Sequence, residues 1–375
     1  MFTRIPLIPL MVEGVLFAGA IATLAAAASG APQQRSLRAG LGRAQNENAG
    51  NNPSYLQSPT LGYVAQTSPV EIRPILGIPG ATIFGDRVTI PQNITQLYVS
   101  PGSSYAFVAR QSASGLALIQ LNGSESSELV EIPGALPAPQ LIAFSPTGRT
   151  AALYANDSTR VQVLTGLPGS PRVARDLPSS TLPMHPECLA VSDDGNALAL
   201  CSGDGGVSVV MPDGAPAPVY SGVEAAAIAF LPNLSNLLVC DPGRSAVYLI
   251  TGLLGMPAAS RVALGLEIST KPVFLAASVD GEEALVTSAG SNRAWSINIS
   301  SAVLEAIDLP APAASLLPLR SSDVFLLSAR RGEPGWLLVK QSTAFQLAFV
   351  PAVIPSRHRV QRPRPLQGGS TGGLR

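Results

Sequence analysis

The stretch Ile142-Ala-Phe-Ser-Pro-Thr-Gly-Arg-Thr-Ala-Ala-Leu153 decides how the chain folds, because it is one copy of a recurring unit. It reads as an apolar strand ending on a large residue, a turn of Ser, Pro and Gly, and a second apolar strand. Pro presets φ for the turn and Gly supplies the positive φ that closes it. The same grammar returns in Leu97-Tyr-Val-Ser-Pro-Gly-Ser-Ser-Tyr-Ala-Phe-Val108, Leu189-Ala-Val-Ser-Asp-Asp-Gly-Asn-Ala-Leu-Ala-Leu200, Ile228-Ala-Phe-Leu-Pro-Asn-Leu-Ser-Asn-Leu-Leu-Val239 and Leu275-Ala-Ala-Ser-Val-Asp-Gly-Glu-Glu-Ala-Leu-Val286. A degenerate copy lies between Leu316 and Leu327.

Anchored on Val99, Phe144, Val191, Phe230, Ala277 and Leu317, the copies are spaced by 45, 47, 39, 47 and 40 residues. That is the period of about 40–50 residues of a four-stranded propeller blade. A third strand follows each hairpin after another polar turn, as in Asp204-Gly-Gly-Val-Ser-Val-Val210 and Asp241-Pro-Gly-Arg-Ser-Ala-Val-Tyr-Leu-Ile250. Weaker fourth strands fit Arg172–Leu177, Val219–Ser221, Ser260–Leu264, Val303–Leu309 and Ala344–Val350. One such sheet alone exposes both faces, and stacking around an axis buries them. The expectation is an all-β fold, a β-propeller of six four-stranded blades over residues 71–354, with seven as the alternative count. Glu71–Val88, ahead of the first hairpin, is expected to close the ring as a strand of the last blade.

Through Phe144-Ser-Pro-Thr-Gly148, Val191-Ser-Asp-Asp-Gly195 and Ala277-Ser-Val-Asp-Gly281, the repeat resembles the YVTN-type and WD-repeat-like propellers of exported bacterial proteins. The resemblance covers about residues 71–354 and implies architecture, since this scaffold carries binding platforms and enzymes alike. The pattern departs from both subfamilies in its details. No Trp-Asp pair ends the third strands, and Trp295 and Trp336 are the only tryptophans, too few for the repeated Trp motif that docks a quinone.

Outside the repeats, composition changes. Arg4 is followed by an apolar segment, and Val15–Ala28 runs without a charge into a small-residue stretch, which reads as a cleavable signal peptide over residues 1–28. The run is shorter than the about 20 residues a spanning helix needs, which favours cleavage over the rival reading of an uncleaved anchor, and no later segment has eighteen consecutive apolar residues, so no membrane association is expected after cleavage. Residues 29–70, rich in Gln, Asn, Ser and Gly, read as a disordered linker. Residues 355–375 carry Arg357, Arg359, Arg362, Arg364 and Arg375 without an acid and read as a basic disordered tail. An exported monomer, periplasmic or extracellular, is expected. The formal net charge of +0 gives no footprint for a nucleic acid.

Candidates for chemistry are few. With two histidines, His185 and His358, no multi-histidine metal site can form. His185 stands before an inner strand, where propellers gather functional groups, and Glu187 is placed to orient it; the competing reading is a loop histidine bonded to backbone. Asp193, Asp194 and Asp204 are the calcium candidates, although turn chemistry accounts for them without a ligand. Export favours disulfides among Cys188, Cys201 and Cys240. If Asp194-Gly195 is a two-residue hairpin loop, Cys188 lies opposite Cys201, whereas a three-residue loop offsets them. Neither a catalytic cluster nor a cofactor is expected. The reading is a non-enzymatic scaffold binding a protein, peptide or glycan on one propeller face, the alternative being a lactonase-like or lyase-like enzyme at the central channel.

Overall fold

The structure, a computed structural model, describes residues 58–352 apart from internal stretches of one to four residues. The expected signal peptide, the linker as far as residue 57 and the basic tail lie outside the described residues.

Among the described residues, twenty-eight strands form seven antiparallel sheets, the blades of a propeller. Their first strands are Thr60–Thr67, Ile94–Val99, Leu141–Phe144, Cys188–Val191, Ala227–Phe230, Val273–Ala277 and Leu317–Pro318, in blades 1 to 7. Blades 3 to 7 each add three more strands in simple up-and-down order. In blade 2 the outer position is divided between Glu125–Ser126 and Val130–Glu131, both paired with Ala117–Asn122. First strands touch between blades 1 and 2, 3 and 4, 4 and 5, and 5 and 6.

The count of seven, and the place of the extra blade, correct the expectation of a closing strand. Val70–Ile78 pairs with Thr60–Thr67 and with Ala81–Phe84, and these three strands are a blade of their own. The propeller therefore begins inside the stretch expected to be linker: Leu61, Tyr63 and Val64 are buried. Ala344–Val350 already occupies the outer edge of blade 7, so no strand of blade 1 is needed there. The ring closes by packing instead. Leu61, Val64 and Ile75 lie against Leu319, Val324 and Leu326, while Arg320 N–H donates to Leu61 O at 2.8 Å and Thr82 Oγ1 to Phe349 O at 3.2 Å.

Seven apolar clusters fill the gaps between successive blades around the whole ring. Second strands such as Leu198–Cys201 and Leu237–Asp241 are buried along their entire length because each face meets another blade, which explains their unbroken apolar runs. The recurring serine has a structural office of its own. Ser100, Ser145, Ser192 and Ser278 are buried, and each accepts at Oγ the backbone N–H five residues on, that of Tyr105, Thr150, Ala197 and Glu283 respectively. Gly148 and Gly195, at φ 71° and 74°, complete these turns in a conformation that only glycine adopts without strain.

The turns also join blade to blade. Tyr105 Oη donates to Gly148 O at 2.7 Å, Thr150 Oγ1 to Ser192 O at 2.7 Å, and Thr147 donates from both N and Oγ1 to Asp193 Oδ1 at 2.9 and 2.5 Å. Between blades 4 and 5, Asp241 is fully buried and accepts from Tyr220 Oη at 2.9 Å and from the backbone N–H groups of Val223, Glu224 and Arg244 at 2.9, 3.1 and 3.1 Å.

Candidate functional site

The first strands of blades 3 to 7 enclose a channel of about 1030 Å³. Its wall is apolar because these strands are apolar at every position: one set of side chains fills the gaps between blades while the rest faces the axis. Leu141, Ala143, Ala229, Phe274 and Leu275 are half-buried where they border this space. Pro101, Pro146, Pro232 and Val279 border it where the first strands end. Where the strands begin, the lining changes character and presents Gln140, His185 and Glu187. Among the described residues lining the channel, Glu187 is the only formal charge apart from the titratable His185.

Two features hold this rim. Tyr154, on the second strand of blade 3 (Ala151–Ala155), is buried, and its hydroxyl lies 2.7 Å from His185 Nδ1. Burial pushes the Tyr154 pKa up, so the hydroxyl keeps its proton. His185 itself is exposed, and its Nε2 has no partner among the described residues. The second feature is covalent. Cys188 and Cys201 face each other directly in the ladder of blade 4 and form a disulfide with Cα atoms 5.1 Å apart. Glu187 N–H donates to Cys201 O at 3.0 Å, so the bridge and the ladder together seat the segment that carries Glu187.

The register of that pair does not come from a two-residue loop at Asp194-Gly195. The turn is longer: Gly195 N–H returns to Ser192 O at 2.9 Å and Ser192 N–H reaches Ala197 O at 2.9 Å, which leaves Cys188 opposite Cys201. Cys240 is free and buried in the next gap of the ring, where burial, with Asp241 adding to it, pushes its thiol up to about 12.

The three calcium candidates are not brought together. Asp193 is engaged by Thr147 of the neighbouring blade. Burial would raise the Asp194 pKa, but bonds from Ser192 Oγ at 2.5 Å and from Asn196 N and Nδ2 at 3.0 and 2.8 Å outweigh it and hold the carboxyl low. The Ser202 hydroxyl, with Gly206 N–H at 3.1 Å, does the same for exposed Asp204. Among the described residues no group of three metal-ligating side chains forms.

Sequence reasoning found His185 and Glu187 but missed Tyr154 and Gln140, which share the rim. It also missed a second, smaller hollow of about 330 Å³ bordered by Glu282, Glu283, Glu305 and Lys340. There Lys340 Nζ, from blade 7, lies 3.0 Å from Asp280 Oδ2 and 3.6 Å from Glu283 Oε1, of blade 6. Burial opposes ionisation of Asp280, yet bonds from Ser278, Glu282 N–H and Lys340 bring its pKa to about 2. Arg160 and Arg293, which begin third strands, do not border the channel: Arg160 pairs with Asp176, and Arg293 with Glu267 and Asp308 at 3.0 and 3.1 Å.

Seven radial sheets around an apolar channel define a β-propeller. No protein-family model and no curated protein matches the sequence. Among solved structures, the chain is similar to a functionally unknown protein from Desulfotomaculum acetoxidans, at 13% identity and a TM-score of 0.53, covering 79% of this chain and 100% of that one. It is also similar to a protein from Lactobacillus plantarum, at 14% identity and a TM-score of 0.52, covering 78% and 94%. At these identities the likeness is one of fold alone.

Proposed function

We propose that the protein is an exported, non-enzymatic binding propeller that takes an apolar group of its ligand into the central channel through the rim bearing Gln140, His185 and Glu187. The observation that carries this reading is the channel itself: about 1030 Å³ of largely apolar wall with its exposed polar groups, Gln140, His185 and Glu187, gathered at one end. Small-molecule sites have this composition, apolar bodies with a few placed polar groups that fix orientation. Of the ligand classes considered from sequence, a glycan fits least, because its hydroxyls would lose water against Leu, Ala and Phe without gaining partners. The apolar Val15–Ala28 segment and the Cys188–Cys201 bridge support export, since disulfides persist in oxidising compartments.

Titration of the full chain with the uncharged fluorophore N-phenyl-1-naphthylamine tests the reading. Saturable binding is expected, weakened by Ala229→Trp, which places a large ring at a half-buried wall position that belongs to none of the packed clusters between blades. Absence of saturable binding, or binding indifferent to that substitution, overturns it. One observation favours a second reading, hydrolysis at the channel: His185 and Glu187 line the same rim. Turnover of a lactone that is lost in His185→Gln would establish that alternative.

A further inference from the structure

The charge of the rim adds a chemical identity to the ligand. We infer that the channel selects an amphiphilic amine, a small molecule whose hydrocarbon body lies against the apolar wall and whose ammonium group meets Glu187. This rests on the channel-binding reading above.

The argument has three parts. First, the size suits a small molecule, since about 1030 Å³ lies at the upper end of ligand pockets and is walled by five blades. Second, the lining offers an entering molecule no cation that is permanently charged: among the described lining residues there is no Lys or Arg, while Glu187 is exposed at the mouth. A carboxylate beside a low-dielectric wall attracts a cation and repels an anion more strongly than it would in open water. A fatty acid would therefore meet a like charge where its head group must sit, and selection against it is built into the rim. Third, the rim has a fixed geometry. The ladder bond from Glu187 N–H to Cys201 O at 3.0 Å and the Cys188–Cys201 bridge seat the Glu187 backbone, while Tyr154 holds the His185 ring 2.7 Å from its hydroxyl. A head group thus meets a prepared rim and not a loop that must first be ordered.

The test uses decylammonium and decanoate, which share a chain and differ in the sign of the head group, titrated calorimetrically into the full chain at about pH 7.5 and below their micellar concentrations. Decylammonium is expected to bind about tenfold or more tighter than decanoate, a discrimination set by charge complementarity at the rim. Glu187→Gln is expected to bring the two to within about threefold of each other, and Ala229→Trp to weaken both. Equal binding of the two chains to the native protein, or a preference for the amine that survives Glu187→Gln, overturns the inference while leaving the channel reading intact. Failure of both chains and of the uncharged fluorophore to bind overturns the channel reading itself.

Discussion

Tyr154 Oη and His185 Nδ1 stand 2.7 Å apart across the boundary between blades 3 and 4. A buried hydroxyl thereby fixes an exposed imidazole at the mouth of an otherwise apolar channel. Tyr154→Phe keeps the ring volume and removes this bond. The expected cost is about 1 kcal/mol of stability, the net worth of one such bond, or about 1–2 °C in melting temperature for a domain of this size. In the same variant, hydrogen exchange should rise at residues 185–188 and stay unchanged in blade 1. A uniform change throughout the ring would mean that the contact does not act locally.

The disulfide makes a countable prediction. Of the 3 cysteines, only Cys240 is free, and it is buried. Native protein should be inert to a thiol reagent, unreduced denatured protein should yield one thiol, and reduced denatured protein three. The Cys188→Ser/Cys201→Ser variant should lose about 2–3 kcal/mol, the scale for a bridge closing a loop of roughly this length, measured as the shift in urea midpoint. Three reactive thiols in unreduced protein would contradict the pairing.

Asp241 serves four donors with one buried carboxylate. Asp241→Ala leaves three backbone N–H groups and the Tyr220 hydroxyl without their acceptor, and about 3 kcal/mol of destabilisation is expected in urea unfolding. Asp241→Asn keeps one acceptor oxygen and should fall between the two. If Asp241→Ala unfolds with the native midpoint, the contact between blades 4 and 5 does not depend on this residue.

Asp280 gives the pH dependence. Its folded pKa of about 2 lies below the ordinary 3.8, so its contribution is in place above the unfolded value and is lost as pH falls through about 2. Asp280→Asn should therefore cost about 1 kcal/mol near neutral pH, after allowance for solvent screening of a half-exposed pair. The native and variant proteins should converge in stability between about pH 4 and pH 2. A difference that persists unchanged below about pH 2 would assign the effect to something other than ionisation.

Much of the ring was legible in the sequence because the turn between the first two strands is chemically distinctive. Val99, Phe144, Val191, Phe230 and Ala277 each end a first strand, and Leu317 begins the last of them. Blade 1 escaped because its turn is cut short: only Ser68 and Pro69 separate Thr67 from Val70, without the glycine and the further residues of the recurring turn. Its residues then read as linker and closure. His185 and Glu187 were legible from their place just before a first strand. Tyr154, the partner of His185, was not, since a contact spanning 31 residues and two blades has no periodic signature. The apolar nature of the first strands was plain as well, but which of their side chains face the axis is a property of the closed ring.

The most direct test of the channel as the recognition element is a crystal structure of the full chain grown with N-phenyl-1-naphthylamine. The account predicts density for the probe between the first strands of blades 3 to 7, against Leu141, Ala229 and Leu275. Density for the probe only on the outer surface of the blades, with ordered water filling the channel, would contradict it.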